Sequence, residues 1–338
     1  MPVLIQAFLV IAGLLLVQDK RKQGDPLDHL PDNVTVLTYF GERADFSPDN
    51  KQIAFMSKSF GDAMLIDLET RAIKCLTCNV PGAVFLRVMH LVNGDFLLIG
   101  PEYFENISIS RDRDNELWYL KNERGAKPVK LNQKMSEGAA VSKTEMTIAF
   151  AVTHGQDQSM ADGSSKIIRA DIDISGDRPV LTNSETVFLS EGRDCVLEAQ
   201  DFYDHDQKLT FTCYEPGPTA AVYSLDLNTG NTTGMSNDPG RYHEVEGIFP
   251  GGEYTCVESD KQCEWLAGEP GSGNIDIWKL KLDGTGKDFV RLTHFNDFVG
   301  GKASNPVISG DGRYMAFQSA KTTDPAGVGY GILLYEFR

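Results

Sequence analysis

The chain has 338 residues with 48 acidic side chains against 32 basic ones, a net charge of −16, and a pI near 4.8. That balance excludes a nucleic-acid binder, which needs clustered Lys and Arg to meet phosphates; the longest basic run is Lys20-Arg21-Lys22. The length exceeds the commonest domain size but suits a single domain built from repeats, because each repeat packs only on its neighbours.

Residues 1–18 contain an apolar stretch from Val3 to Val17 broken only by Gln6 and Gly13. It is short for crossing a hydrocarbon core and has the length of a signal-peptide core, an uncleaved signal anchor being the alternative. The chain is therefore expected to be secreted, periplasmic or extracellular, with residues 19–33 as a linker and no other membrane contact. Val34 to Phe40 then carries an outer-strand pattern.

From Ala44 onward one unit recurs. It reads A-D-F-S-P-D-N-K-Q-I-A-F at Ala44, M-H-L-V-N-G-D-F-L-L-I at Met89, A-A-V-S-K-T-E-M-T-I-A-F at Ala139, A-Q-D-F-Y-D-H-D-Q-K-L-T-F at Ala199, E-G-I-F-P-G-G-E-Y-T-C at Glu246 and N-P-V-I-S-G-D-G-R-Y-M-A-F at Asn305. Alternating apolar and polar residues mark half-buried strands, and Asp-Gly or Asn-Gly pairs mark tight turns between them. Each copy leads into a third strand, such as Ala63 to Leu68 or Glu116 to Leu120, and then an outer strand with a Leu-Thr-like pair, as in V-R-L-T at Val290. The sixth copy lacks its outer strand, and Val34 to Phe40 supplies one. The sequence thus predicts an all-β, six-bladed β-propeller over residues 34–338, closed by pairing the N-terminal strand with Gly331 to Phe337 so that no open sheet edge remains.

Residues 273–294 and 304–319 resemble the TolB-type, WD40-like propeller repeat. Its pattern is a strand, a Ser-Pro-Asp-Gly turn, a strand ending in Ala-Phe, an acid-rich Ile-Tyr/Trp strand, an Asp-Gly turn and Arg-Leu-Thr. The similarity covers roughly residues 34–338 and is closest in the last blade. The resemblance implies the six-bladed fold but little chemistry, because that architecture hosts binding scaffolds, peptidase propeller domains and polysaccharide lyases alike.

Six cysteines agree with an oxidising compartment. Cys195–Cys213 and Cys256–Cys263 are expected disulfides, and Cys75-x-x-Cys78, with no second Cys pair nearby, reads as a small structural bridge rather than a redox or zinc motif. Asn33, Asn106 and Asn231 head glycosylation sequons.

Residues just before each inner strand should line one mouth of the channel. Across the copies these are Glu42 and Arg43, Arg87 and His90, Glu137, Glu198, His243 with Glu244 and Glu246, and Lys302 with Asn305. Taken singly, such groups pair across a channel, Arg43 and Arg87 with the carboxylates. Taken together they form a mixed ring suited to a polar ligand, an acidic saccharide above all, or to a divalent cation such as Ca²⁺ or Mn²⁺. Three readings follow: a saccharide binder; a lyase on uronic-acid sugars with His243 or His90 as base and Arg43, Arg87 or Lys302 meeting the carboxylate; and a protein-interaction scaffold working through its outer faces. The stretch Asp171 to Asp177 imitates an EF-hand start, but position twelve is Thr182, and no G-x-S-x-G, H-E-x-x-H, P-loop or dinucleotide motif occurs. His29, His154, His205 and His294 read as solitary loop residues.

Overall fold

The structure, a computed structural model, describes residues 19–190, 195–266 and 268–337. They form six four-stranded antiparallel sheets. Blade 6 begins at the N-terminus with β1 (Val34–Val36). Blade 1 holds β2 (Glu42–Phe46), β3 (Gln52–Met56), β4 (Ala63–Asp67) and β5 (Ile73–Cys75). Blade 2 holds β6 (Arg87–His90), β7 (Phe96–Gly100), β8 (Glu116–Leu120) and β9 (Val129–Lys134). Blade 3 holds β10 (Ala139–Val141), β11 (Thr147–Thr153), β12 (Ser165–Asp173) and β13 (Val180–Leu189). Blade 4 holds β14 (Val196–Tyr203), β15 (Lys208–Tyr214), β16 (Ala220–Asp226) and β17 (Thr232–Gly234). Blade 5 holds β18 (His243–Ile248), β19 (Tyr254–Ser259), β20 (Asp276–Lys281) and β21 (Phe289–Arg291). Blade 6 is completed by β22 (Gly301–Ile308), β23 (Tyr314–Lys321) and β24 (Ile332–Glu336).

Closure is as the repeat pattern predicts: β1 pairs antiparallel with β24, Val34 opposite Tyr335 and Val36 opposite Leu333. The strand is shorter than the apolar pattern suggests. Past Val36 the chain leaves the ladder, with the Leu37 and Thr38 amides both turning to the Ile332 carbonyl.

The Ala-Phe pair has a packing reason. In β3, β11 and β23 the two side chains point to opposite faces of the blade, and both faces are covered by neighbours. Phe55, Phe150 and Phe317 each enter the apolar layer shared with the preceding blade, whereas Ala54, Ala149 and Ala316 enter the layer shared with the following one. Large faces small across each interface, so the blades wedge together, and replacing one of these fully buried rings by Ala would cost about 3–5 kcal/mol.

The Ser-x-Asp turns, Ser47-Pro48-Asp49 and Ser309-Gly310-Asp311, close the far end of the hairpins. Ser47 Oγ receives the Gln52 amide and Asn50 takes φ 58°; Ser309 Oγ likewise receives the Tyr314 amide and Gly312 takes φ 71°. Asp49 and Asp311 accept from these serines at 2.7 and 2.6 Å. The EF-hand-like stretch is a hairpin, with Asp171 directly opposite Thr182 in the β12–β13 ladder.

Four of the six inner strands carry a register shift at the same height: between Glu42 and Asp45, Ala199 and Asp201, Val245 and Ile248, and Ser304 and Val307. A bulge re-aims the side chains beside it. Here it turns Arg43, Gln200, Glu246 and Asn305 toward the channel, Arg43 and Asn305 taking φ 52° and 48°. The inner-strand amides left without a ladder partner are met by side chains of the preceding blade. Gln318 accepts from Arg43 N, Asp45 from His90 N, Asp201 from Ile248 N and Glu258 from Asn305 N, at 2.5–2.9 Å.

Candidate functional site

The connections are unequal on the two faces of the ring. Tight turns close one face, while the other carries long segments such as 101–115, 154–164, 260–275 and 322–331. Binding groups concentrate on loops held by a rigid scaffold. On the long-loop face the channel opens as a cavity of about 670 Å³; toward the turn face it narrows to one of about 140 Å³. Arg43, Arg87 and Asn305 line both and mark the waist between them.

The channel charges sit within the inner strands rather than before them, because those strands begin two to four residues earlier than their apolar pattern suggests. Glu137 alone precedes its strand. The pairing expected across the channel is present: Arg87 Nη2 lies 3.2 Å from Glu198 Oε1 and Arg43 Nη2 3.7 Å from Glu137 Oε2. Arg43 is further committed to Glu42 at 2.5 Å and to the Gly327 carbonyl at 2.9 Å. Arg111, on the 101–115 segment, reaches over to Glu137 at 3.4 Å and to the Ala326 carbonyl at 2.9 Å, tying the loops of blades 2 and 6 across the mouth. Lys302 is buried, its Nζ on the Ser272 carbonyl at 3.1 Å; burial lowers its pKa against the pull of Glu258 and Glu244.

Carboxyl groups outnumber these cations on the side of blades 4 and 5. Burial pushes Glu198 up to about 7 against Arg87, with Glu244 and Glu137 adding to the rise. Burial and Glu258 push Glu244 up to about 7, although two tyrosines donate to it. Glu246 and Glu258 rise as well, again chiefly through burial. Burial works against the charge of Arg87, but Glu198, Glu246 and Glu137 outweigh it and raise its pKa.

The hydrogen count points the same way. Tyr214 Oη stands 2.9 Å from Glu198 Oε2 and 2.5 Å from Glu244 Oε1, and Tyr242 Oη contacts the other oxygen of Glu244. Two phenol hydrogens face three oxygen–oxygen contacts, so a proton on Glu198 or Glu244 would complete the set, in keeping with the upward shift of both. Glu198 Oε1 meanwhile accepts from Arg87 and from Gln200 Nε2.

The two histidines expected as bases do not meet at this mouth. His90 lines the narrow cavity, its Nδ1 3.0 Å from Asp45 Oδ2. His243 lines neither cavity. Strand alternation turns it away from Glu244 and Glu246; its ring is fully buried on Phe289 with Nε2 3.4 Å from Asp238. His154, a loop residue in the sequence, does line the wide cavity. Glu258, Tyr214 and Tyr242 are channel residues the sequence reading missed. A signal existed: Glu258 is the one charged residue of its second strand, and Tyr214 ends the second strand of its blade. Asp62 lies with Cys75 and Cys78, but this grouping is no metal site because its thiols are oxidised.

Cys75–Cys78 and Cys195–Cys213 are disulfides, which fits a chain that matures in an oxidising compartment. The expected Cys256–Cys263 bridge is absent; both thiols are free. Cys256 faces the interblade layer, its Sγ 3.7 Å from Met315 Sδ, whereas a 3₁₀ turn at Lys261–Glu264 carries Cys263 toward the Asn274 carbonyl. Of the sequons, Asn106 and Asn231 are exposed, and Asn33 is half-buried with Nδ2 on the Glu336 carbonyl at 3.0 Å. The apolar stretch at 1–18 lies outside the described residues.

This architecture is found in known structures. TolB from Acinetobacter baumannii superposes with TM-score 0.50 at 13% identity, over 92% of this chain and 66% of that one. The fold is that of the TolB-type propellers. Regucalcin, a calcium-binding protein of Agrobacterium tumefaciens, matches with TM-score 0.53 at 12% identity over 89% of this chain and 92% of its own. A gluconolactonase from Xanthomonas campestris gives 0.53 at 9% identity over 90% and 89%. No family model and no curated protein matches the sequence. At such identities the likeness concerns fold and not chemistry.

Proposed function

We propose that the chain is a secreted propeller that binds a hydroxyl-rich ligand of the saccharide class at the wide mouth of its channel. The observation that carries this reading is the lining of the 670 Å³ cavity: Glu137, Glu198, Glu244 and Glu258 with Tyr214, Tyr242 and Asn305, polar groups that converge on one space beneath the long loops. Carboxylates and phenols in such density accept and donate to sugar hydroxyls. The charge balance favours a neutral sugar over an acidic one, because Arg43, Arg87 and Arg111 are already held by Glu42, Glu137 and Glu198. The same balance weakens the lyase reading, which needs a cation free for the substrate carboxylate and a histidine base beside it.

Calorimetric titration with neutral and uronic oligosaccharides tests the proposal. Neutral ligands should bind more tightly than uronic ones, and Tyr214→Phe or Glu198→Gln should weaken them about tenfold or more, the scale of a lost hydrogen bond to a charged group. No binding of any saccharide, or binding that ignores both substitutions, would overturn it, and an unsaturated uronate product would restore the lyase.

A further inference from the structure

Exposed aromatic rings gather on one sector of the long-loop face. Six Phe, Tyr or Trp side chains stand exposed among the described residues, and five of them, Tyr39, Phe40, Tyr103, Phe104 and Tyr330, belong to loops of blades 6, 1 and 2. The sixth, Trp265, lines a separate groove with Lys20 and Lys22. The backbone brings the five together. Gly41 bridges Tyr330, which sets the Tyr39-Phe40 link between β1 and β2 beside the end of the 322–331 segment, and a side chain at Gly331 would strike the backbone of Thr38 and Tyr39. Phe60, in the loop after β3, packs on Phe104 with ring centroids 4.9 Å apart and so docks the 101–115 segment on blade 1. Arg111 ties that segment to Ala326, and Asp112, Ala326 and Gly327 all line the wide cavity. Both flanks of the aromatic band are therefore continuous with the mouth.

We propose that this band is a row of stacking subsites for a saccharide whose end occupies the wide cavity, so that the ligand is a neutral oligosaccharide chain rather than a single sugar. The inference rests on the saccharide reading of the mouth and extends it. Apolar surface concentrated beside a binding cavity marks a place that something covers. Three of the rings are held in position: Phe40 rests on Phe55, Phe104 on Phe60, and Tyr330 donates its hydroxyl to Asp324 at 2.7 Å with Lys321 Nζ 4.6 Å from its ring centre. Each nevertheless remains 42–44% exposed, and Tyr39 and Tyr103 are 81% and 79% exposed. A pyranose carries apolar C–H faces inside a rim of hydroxyls; an aromatic ring covers the face and a phenol reaches the rim, with few rotatable bonds to freeze. Charge points to a neutral chain. Glu102 and Glu105, beside Tyr103 and Phe104, are paired with Lys130 at 2.7 Å and Arg113 at 3.0 Å, so the band adds no free carboxylate to a chain of net charge −16. A protein partner would use the same residue types, but it would not account for the continuity of the band with a polar cavity.

The test is chain length. Full-length protein is titrated by calorimetry with cellobiose, maltose and chitobiose and with the hexasaccharide of each series. In the series that binds, the hexasaccharide should bind at least about tenfold tighter than the disaccharide. The double variant Tyr39→Ala with Tyr103→Ala removes two exposed rings and should keep the wild-type melting temperature. It should lose most of the gain with length and hold the disaccharide as wild type does. Trp265→Ala, outside the band, should change neither ligand, and Tyr214→Phe should weaken both. Equal affinity for the two lengths, or a double variant that keeps the gain or weakens both lengths alike, would overturn the band; disaccharide binding that still depends on Tyr214 would then leave the reading of the mouth in place. No binding of any of these sugars would overturn both.

Discussion

Asp201 offers a test of how the interblade contacts trade charge against hydrogen bonding. It follows the β14 bulge and its Oδ2 accepts from the Ile248 amide of the next blade at 2.9 Å. Burial lifts its pKa from 3.8 to about 6; Lys143 opposes the rise and Asp45 adds to it. Arg43, Arg87, His90 and Glu246 are the other ionisable groups of the narrow cavity. A folded-state value above the unfolded one means that the native protein keeps a proton the unfolded chain releases. Below about pH 4 both states are protonated and Asp201 costs nothing; as pH rises to 6 the cost grows, and above 6 it is complete. Two pKa units correspond to about 3 kcal/mol, an upper bound because Asp201 is only partly buried. Asp201→Asn keeps an oxygen for Ile248 and removes the charge. Its melting temperature should match wild type at pH 4 and exceed it at pH 7.5 by up to about 5 °C, taking about 2 cal/mol/K of unfolding entropy per residue. An advantage that is equal at the two pH values, or a variant less stable than wild type at pH 7.5, would refute the reasoning.

Three further outcomes are expected. Removing residues 1–36 deletes β1, its ladder with β24 and the packing of Val34 and Val36, so the truncated protein should melt earlier and self-associate through the bare β24 edge; a monomer with unchanged melting, by light scattering and calorimetry, would contradict closure. Cys213→Ser opens a link of sequence separation 18 and should cost about 3 kcal/mol in denaturant unfolding under oxidising conditions, with no such loss when wild type and variant are compared reduced. Mass mapping without reductant should find free thiols at Cys256 and Cys263 alone, and Cys256, whose pKa burial raises, should resist alkylation until the protein unfolds.

The repeat, the strand alternation and the turn chemistry are local, and the sequence by itself determined from them six blades, their order and the strand that closes the ring. Cys195 and Cys213 also fall together by local rule, as partners in one hairpin. Cys256 and Cys263 are closer in sequence, yet the turn after β19 sends them to different layers, which spacing does not record. The channel was legible only in part. A residue's neighbour across the axis comes from a blade 50 to 250 positions away, so the sequence named Arg87 and Glu198 without Tyr214, and His243 beside Glu244 without showing that alternation turns the histidine outward. The bulges that aim Arg43, Glu246 and Asn305 inward each shift register by one residue, and a one-residue shift reverses which side chain faces the channel. Whether a charge in that ring is paired, protonated or left for a ligand depends on burial and on groups from other blades. Those are properties of the closed ring, and only the tertiary structure decided them.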